Sequence, residues 1–127
     1  MTNEEKRKII RHYISAYNRF DVEGMVAFLH SEIVFTNVLQ EEVTAQTEGI
    51  EEFTSLANQA KEIFSDRHQK PIRFKFDGDK TVVAVEFKGT LANDLPNGMS
   101  KGERIKLSGT SEFEFKENKI TKITDFS

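Results

Sequence analysis

Five polar side chains sit where the sequence pattern could turn them toward an interior: Tyr13, Tyr17, Asn37, Ser111 and Asp125. Buried hydroxyls and amides need hydrogen-bond partners, and a pocket holding water or a ligand supplies them. The competing reading is a core role, with the polar end bonded to nearby backbone. That reading weighs equally with a pocket role for the two tyrosines, whose rings pack well. It is stronger for Ser111 and weaker for Asn37, which has more groups to satisfy. Asp125 is the candidate for acid–base work, because an isolated carboxylate in an apolar pocket makes a good base. Its facing is open, since Ile120, Ile123 and Phe126 do not alternate cleanly and a bulge is expected there. Asp94 and Glu48 lie in or beside loops, where a carboxylate is solvated.

Other chemistries are poorly represented. There is no cysteine, so disulfides, thiolate metal sites and cysteine nucleophiles are excluded. His12, His30 and His68 show no metal-ligand spacing with one another or with a carboxylate. His30 and His68 are expected at helix C-termini, where an imidazolium is favoured. No Gly-rich phosphate loop, Ser-x-x-Lys or Gly-x-Ser-x-Gly element is present, and no metal or cofactor is expected. The net charge is -3 with both signs mixed along the chain, so no basic tract would draw in nucleic acid. No apolar run suggests a signal peptide or a membrane span, so a soluble cytoplasmic protein is expected.

The elements that must position these residues follow from periodicity. Ile9, Ile10, Tyr13, Ile14, Tyr17 and Phe20 recur at three- and four-residue spacing and predict a helix over Glu4 to Phe20. Asp21 can cap a second short helix. From Glu32 to Gln40 the period becomes two, with Ile33, Phe35, Asn37 and Leu39 on one face. Val43 to Glu48 can return as its partner strand. After Gly49 a long helix is expected to about Arg67, its stripe made by Phe53, Leu56, Ala57, Ala60, Ile63 and Phe64. Beyond Pro71 everything reads as strand. Asp77-Gly78-Asp79-Lys80 signals a hairpin turn. Val83, Val85, Phe87, Gly89 and Leu91 share a face, and so do Ile105, Leu107, Gly109, Ser111, Phe113 and Phe115. A loop over Asn93 to Gly102 joins those two strands, and a last strand runs to Ser127. Gly89 and Gly109 both fall on inward faces, allowing either sharp sheet bending or room for a ligand. The order predicts one α+β domain over residues 1–127, with a mainly antiparallel sheet covered by three helices.

The stretch His12-Tyr13-Ile14-Ser15-Ala16-Tyr17-Asn18-Arg19-Phe20-Asp21-Val22-Glu23-Gly24-Met25 resembles the opening helix hairpin of SnoaL-like and ketosteroid-isomerase-like members of the nuclear transport factor two superfamily. Glu32-Ile33-Val34-Phe35-Thr36-Asn37 resembles their first strand. Gly109 to Phe115, Asn118-Lys119-Ile120 and Asp125-Phe126-Ser127 resemble their last two strands. The resemblance covers nearly the whole chain and implies a cone-shaped, strongly curved sheet with a pocket at its open end. It also implies a homodimer through the outer sheet face. Ketosteroid-isomerase-like enzymes need a carboxylate base, plus a tyrosine and a protonated acid for the enolate oxygen. Tyr13 matches the tyrosine, but Asn37 falls at the base and Ser111 at the second donor. That chemistry is therefore not expected here. Asp125 falls where members often carry an acid or an aromatic residue.

Three functions stay open on these grounds. The first is a pocket for a small, largely apolar molecule, lined by Tyr13, Tyr17, Phe28, Phe35, Asn37, Phe53, Phe87, Ser111 and Phe113. The second is a SnoaL-like isomerase, cyclase, dehydratase or hydrolase using Tyr13 and Asp125. The third is a filled dimerisation module, whose surface would be Val82 and Ala84 beside Val34, Thr36 and Val38.

Overall fold

In the computed structural model, which describes residues 1–127, the element order is α1 (Asn3–Asn18), α2 (Val22–Val26), β1 (Leu29–Leu39), β2 (Glu42–Glu48), α3 (Gly49–Ala60), β3 (Phe64–Asp77), β4 (Lys80–Leu91), β5 (Arg104–Lys116) and β6 (Lys119–Phe126). The fold is α+β, with three helices on a curled six-stranded sheet in the order β2-β1-β6-β5-β4-β3. All neighbours are antiparallel except β1 and β6.

Local chemistry sets the helix starts. The Thr2 hydroxyl accepts from the Glu5 amide at 3.1 Å while the Glu5 carboxylate accepts from the Thr2 amide at 2.8 Å, a reciprocal cap for α1. The Asp21 carboxylate accepts from the Gly24 amide at 2.9 Å and starts α2. Between the two helices Phe20 takes a left-handed backbone (φ 58), which turns the chain sharply. Ile10, Tyr13 and Ile14 of α1, Met25 of α2 and Phe53 of α3 are buried against Ile33, Val83, Phe113, Ile120 and Ile123 of the sheet. The periodic stripes thus meet the inward strand faces, as hydrophobic burial demands.

Three expectations are corrected. First, α3 stops at Ala60 instead of about Arg67, and Phe64 to Arg67 are strand. Phe64 pairs with Leu91, Asp66 with Thr90, Arg67 with Gly89 and Gln69 with Phe87. The ladder to β4, though its register shifts between Phe64 and Asp66, outweighs the weak helical preference of this stretch. Ile63, expected in the buried stripe, is exposed. Second, His30 and His68 lie in β1 and β3 and cap nothing. His30 is buried, its Nδ1 accepting from the Glu32 amide at 3.0 Å. Third, Val82 and Ala84 do not adjoin Val34, Thr36 and Val38. Two strands separate them, and they bring Thr110, Glu112 and Thr124 into the same rows.

The expected bulge lies at Thr121. Phe115 pairs with Ile120 and Glu114 with Lys122, so Thr121 has no partner in the ladder. The extra residue reverses the facing of everything after it. Ile120 stays inside before the bulge, and Ile123 and Asp125 are inside after it.

Candidate functional site

The sheet and α3 do not close on each other. They leave a cavity of about 480 Å³, in which 16 of the 25 lining residues are hydrophobic. Phe35, Phe53, Phe64, Phe87 and Phe113 supply aromatic wall, and Val85 adds an aliphatic face. The partly exposed Leu39, Leu107 and Phe126 stand at its rim.

The two inward glycines do different jobs. A Cβ on Gly89 would stand 2.8 Å from the Phe64 ring and 3.0 Å from the Phe87 ring, so that space is already filled by aromatic side chains. A Cβ on Gly109 would stand 2.5 Å from the Phe126 carbonyl oxygen. Gly109 therefore lets the end of β6 lie close against β5 at the cavity wall. Neither glycine simply leaves room for a guest.

Strand register gathers the polar groups. Asn37 of β1 pairs with Asp125 of β6, and Asp125 pairs with Ser111 of β5. The three residues therefore stand side by side in one row of the sheet, and all three line the cavity. The Ser111 hydroxyl donates to the Asp125 carboxylate at 2.7 Å. Burial raises the Asp125 carboxyl to about 6, and the Ser111 hydrogen bond opposes that rise without cancelling it. At neutral pH the group is mostly ionised, yet it is a far better proton acceptor than a surface aspartate.

Tyr13 is buried, with its ring edge-on to Phe113 at 6.1 Å between centroids. Burial holds its hydroxyl well above the usual tyrosine range, and the nearby Asp125 carboxylate adds to the rise. It stays a neutral donor. Tyr17 is also raised by burial, with the Arg67 guanidinium pulling the other way. The Asn37 amide donates to the Thr44 hydroxyl at 2.8 Å, which ties it to β2 on the mouth side.

Of the residues expected to line a pocket, Tyr13, Tyr17, Phe35, Asn37, Phe53, Phe87, Ser111 and Phe113 surround this cavity, and Asp125 joins them. Phe28 does not. It lies just before β1, and its ring packs edge-on against His12 at 5.6 Å. Arg67 and Gln69 line the cavity without having been expected there. Arg67 Nε donates to the Tyr17 carbonyl at 2.9 Å, and the Asn18 side chain bonds both the amide and the carbonyl of Gln69. These contacts pin the end of α1 to β3. A signal for them existed. With the turn at Gly78 and an inward face reaching Leu91, β4 needs an equally long partner, and that partner must begin well before Pro71.

A family model for the SnoaL-like domain matches residues 10–123. The chain belongs to that family. No curated protein matches this SnoaL-like domain significantly. Among solved structures it is similar to TsrD from Streptomyces laurentii, at 19% identity and TM-score 0.80, covering 98% of this chain and 89% of that one. It is similar to an LEH-like epoxide hydrolase of M. tuberculosis at 16% identity and TM-score 0.76, covering 97% and 82%. TerC, co-crystallised with polyporic acid, is similar at 16% identity and TM-score 0.75, covering 95% and 89%. At such identities the likeness is one of fold. No helix of this SnoaL-like domain is long and apolar enough to cross a membrane.

Proposed function

We propose that this SnoaL-like domain binds a small, largely apolar organic molecule in the cavity under α3. The observation that carries the reading is the cavity itself. Its volume of about 480 Å³ falls in the usual range for small-molecule sites, and its wall is mostly apolar with a few converging polar groups. TerC, of similar fold, was co-crystallised with polyporic acid, which is consistent with the reading. A thermal-shift screen against a broad set of aromatic, steroidal and terpenoid compounds tests it. Several apolar compounds should raise the melting temperature by a few degrees through mass action. If none of a broad set does, the reading fails.

A second reading adds chemistry. Asp125 combines a place in the cavity wall, a Ser111 partner and a carboxyl raised to about 6, which suits a general base or acid near neutral pH. Tyr13, kept neutral by burial, would donate to an oxygen gaining charge. Asn37 cannot take the base role, because an amide accepts no proton at useful pH. Turnover that persists in Asp125→Asn would remove this reading. Dimerisation through the outer sheet face has less to support it, since Glu112, Thr110 and Thr124 interrupt the apolar rows.

A further inference from the structure

Arg67 is 5% exposed and stands in the cavity wall. Its guanidinium carbon lies 3.7 Å from the centre of the Tyr17 ring and 4.6 Å from that of Phe20. Nε is satisfied by the Tyr17 carbonyl, but Nη2 is buried without a hydrogen-bond partner. No ion pair of the protein includes Arg67. The carboxylate of the cavity, on Asp125, is engaged by Ser111 instead.

A guanidinium stays charged at any ordinary pH, and its planar fork suits carboxylate-like oxygens. Burying it without a counter-charge is costly, and a donor left unmade adds to that cost. The two aromatic faces offset part of it. They cannot satisfy Nη2, whose N–H bonds lie in the guanidinium plane. Two other side-chain atoms are buried without partners, Thr47 Oγ1 and Thr81 Oγ1, and neither residue lines the cavity. The unmet charge and the unmet donor thus belong to one residue of the cavity lining, with Nη2 itself enclosed beneath the surface of that wall.

We infer that Arg67 is an anion anchor, and that the guest is an apolar molecule bearing one acidic oxygen group seated against its guanidinium. This rests on the pocket reading and narrows it to a ligand class. The alternative is that Arg67 only straps β3 to the end of α1, in which case the cavity has no preference for acids.

Isothermal titration at pH 8 with 2-naphthoate and its neutral isostere 2-naphthamide separates the two. The wild type should bind the acid at least roughly tenfold tighter than the amide, as a charge-assisted hydrogen bond implies. In Arg67→Gln that ratio should fall to about one. Equal binding of both probes by the wild type, or an undiminished acid preference in Arg67→Gln, overturns the anchor and leaves the pocket reading intact. Binding of neither probe overturns the anchor, and the broad thermal-shift screen then decides the pocket reading separately. Should Arg67→Gln fail to fold, the wild-type ratio decides alone.

Discussion

Phe113→Ala is expected to lower folding stability by about 3–5 kcal/mol, the largest effect of any single truncation in this core. The ring is 1% exposed and is the largest fully buried side chain of the protein. It stands in the middle of the sheet, with Thr81 of β4 on one side and Ile123 of β6 on the other. Tyr13 of α1 meets it edge-on at 6.1 Å. Its removal takes away the burial of an aromatic ring and leaves a hole beside a cavity already present. The paired strands on both sides cannot close that hole without breaking ladder hydrogen bonds. Urea titration should show the midpoint falling with the slope nearly unchanged. Domains of this kind are stable by about 5–15 kcal/mol, so much of the margin would be gone. A loss below about 1 kcal/mol would mean that Phe113 does not hold α1 to the sheet.

Asp125→Asn is expected to do the opposite at pH 8, stabilising the protein by roughly 2–3 kcal/mol. The folded carboxyl titrates near about 6 against an ordinary value of 3.8. Below the ordinary value both folded and unfolded chains carry the proton, and the group costs nothing. Between the two values the unfolded chain releases the proton while the folded chain keeps it, so native stability falls as pH rises. Above about 6 the loss is complete. At about 1.4 kcal/mol per unit, a gap of about two units gives roughly 3 kcal/mol, an upper figure because asparagine must also be accommodated. Asparagine never ionises, and its amide oxygen can still accept from the Ser111 hydroxyl. The gain should therefore shrink below about 1 kcal/mol at pH 4. Urea titrations of both proteins at the two pH values measure it. A variant no more stable than wild type at pH 8 would mean that the carboxyl is well solvated. An activity that uses Asp125 as a base should rise with an ionisation near pH 6 and disappear in the variant.

Much of this was legible in the residues because burial imposes a period. The α1 stripe through Tyr13 and Tyr17 and the alternation of β5 through Ser111 and Phe113 place those side chains inside whatever the rest of the chain does. Asp125 was harder. Its facing depends on the unpaired Thr121, and a one-residue insertion is invisible to a period-two count until the strand has a partner. Arg67 was missed for a different reason. The helical stripe runs on through Ile63 and Phe64, and only the ladder to Gly89 and Phe87 turns this stretch into strand. Phe28 carries an apolar ring next to a strand, and nothing in its local pattern separates contact with His12 from contact with a ligand. The strength of sequence reading is therefore greatest where a pattern repeats and least at element ends, where the cavity's charged groups happen to lie.

Intermolecular nuclear Overhauser contacts from naphthalene to uniformly ¹³C-labelled protein would show whether a guest enters between α3 and the sheet. Contacts to the rings of Phe35, Phe53, Phe87 and Phe113, with none to Phe28, Phe74 or Phe76, are the expected result. Contacts confined to exposed side chains such as Ile72, or no contacts at all, would mean that these walls enclose no usable space.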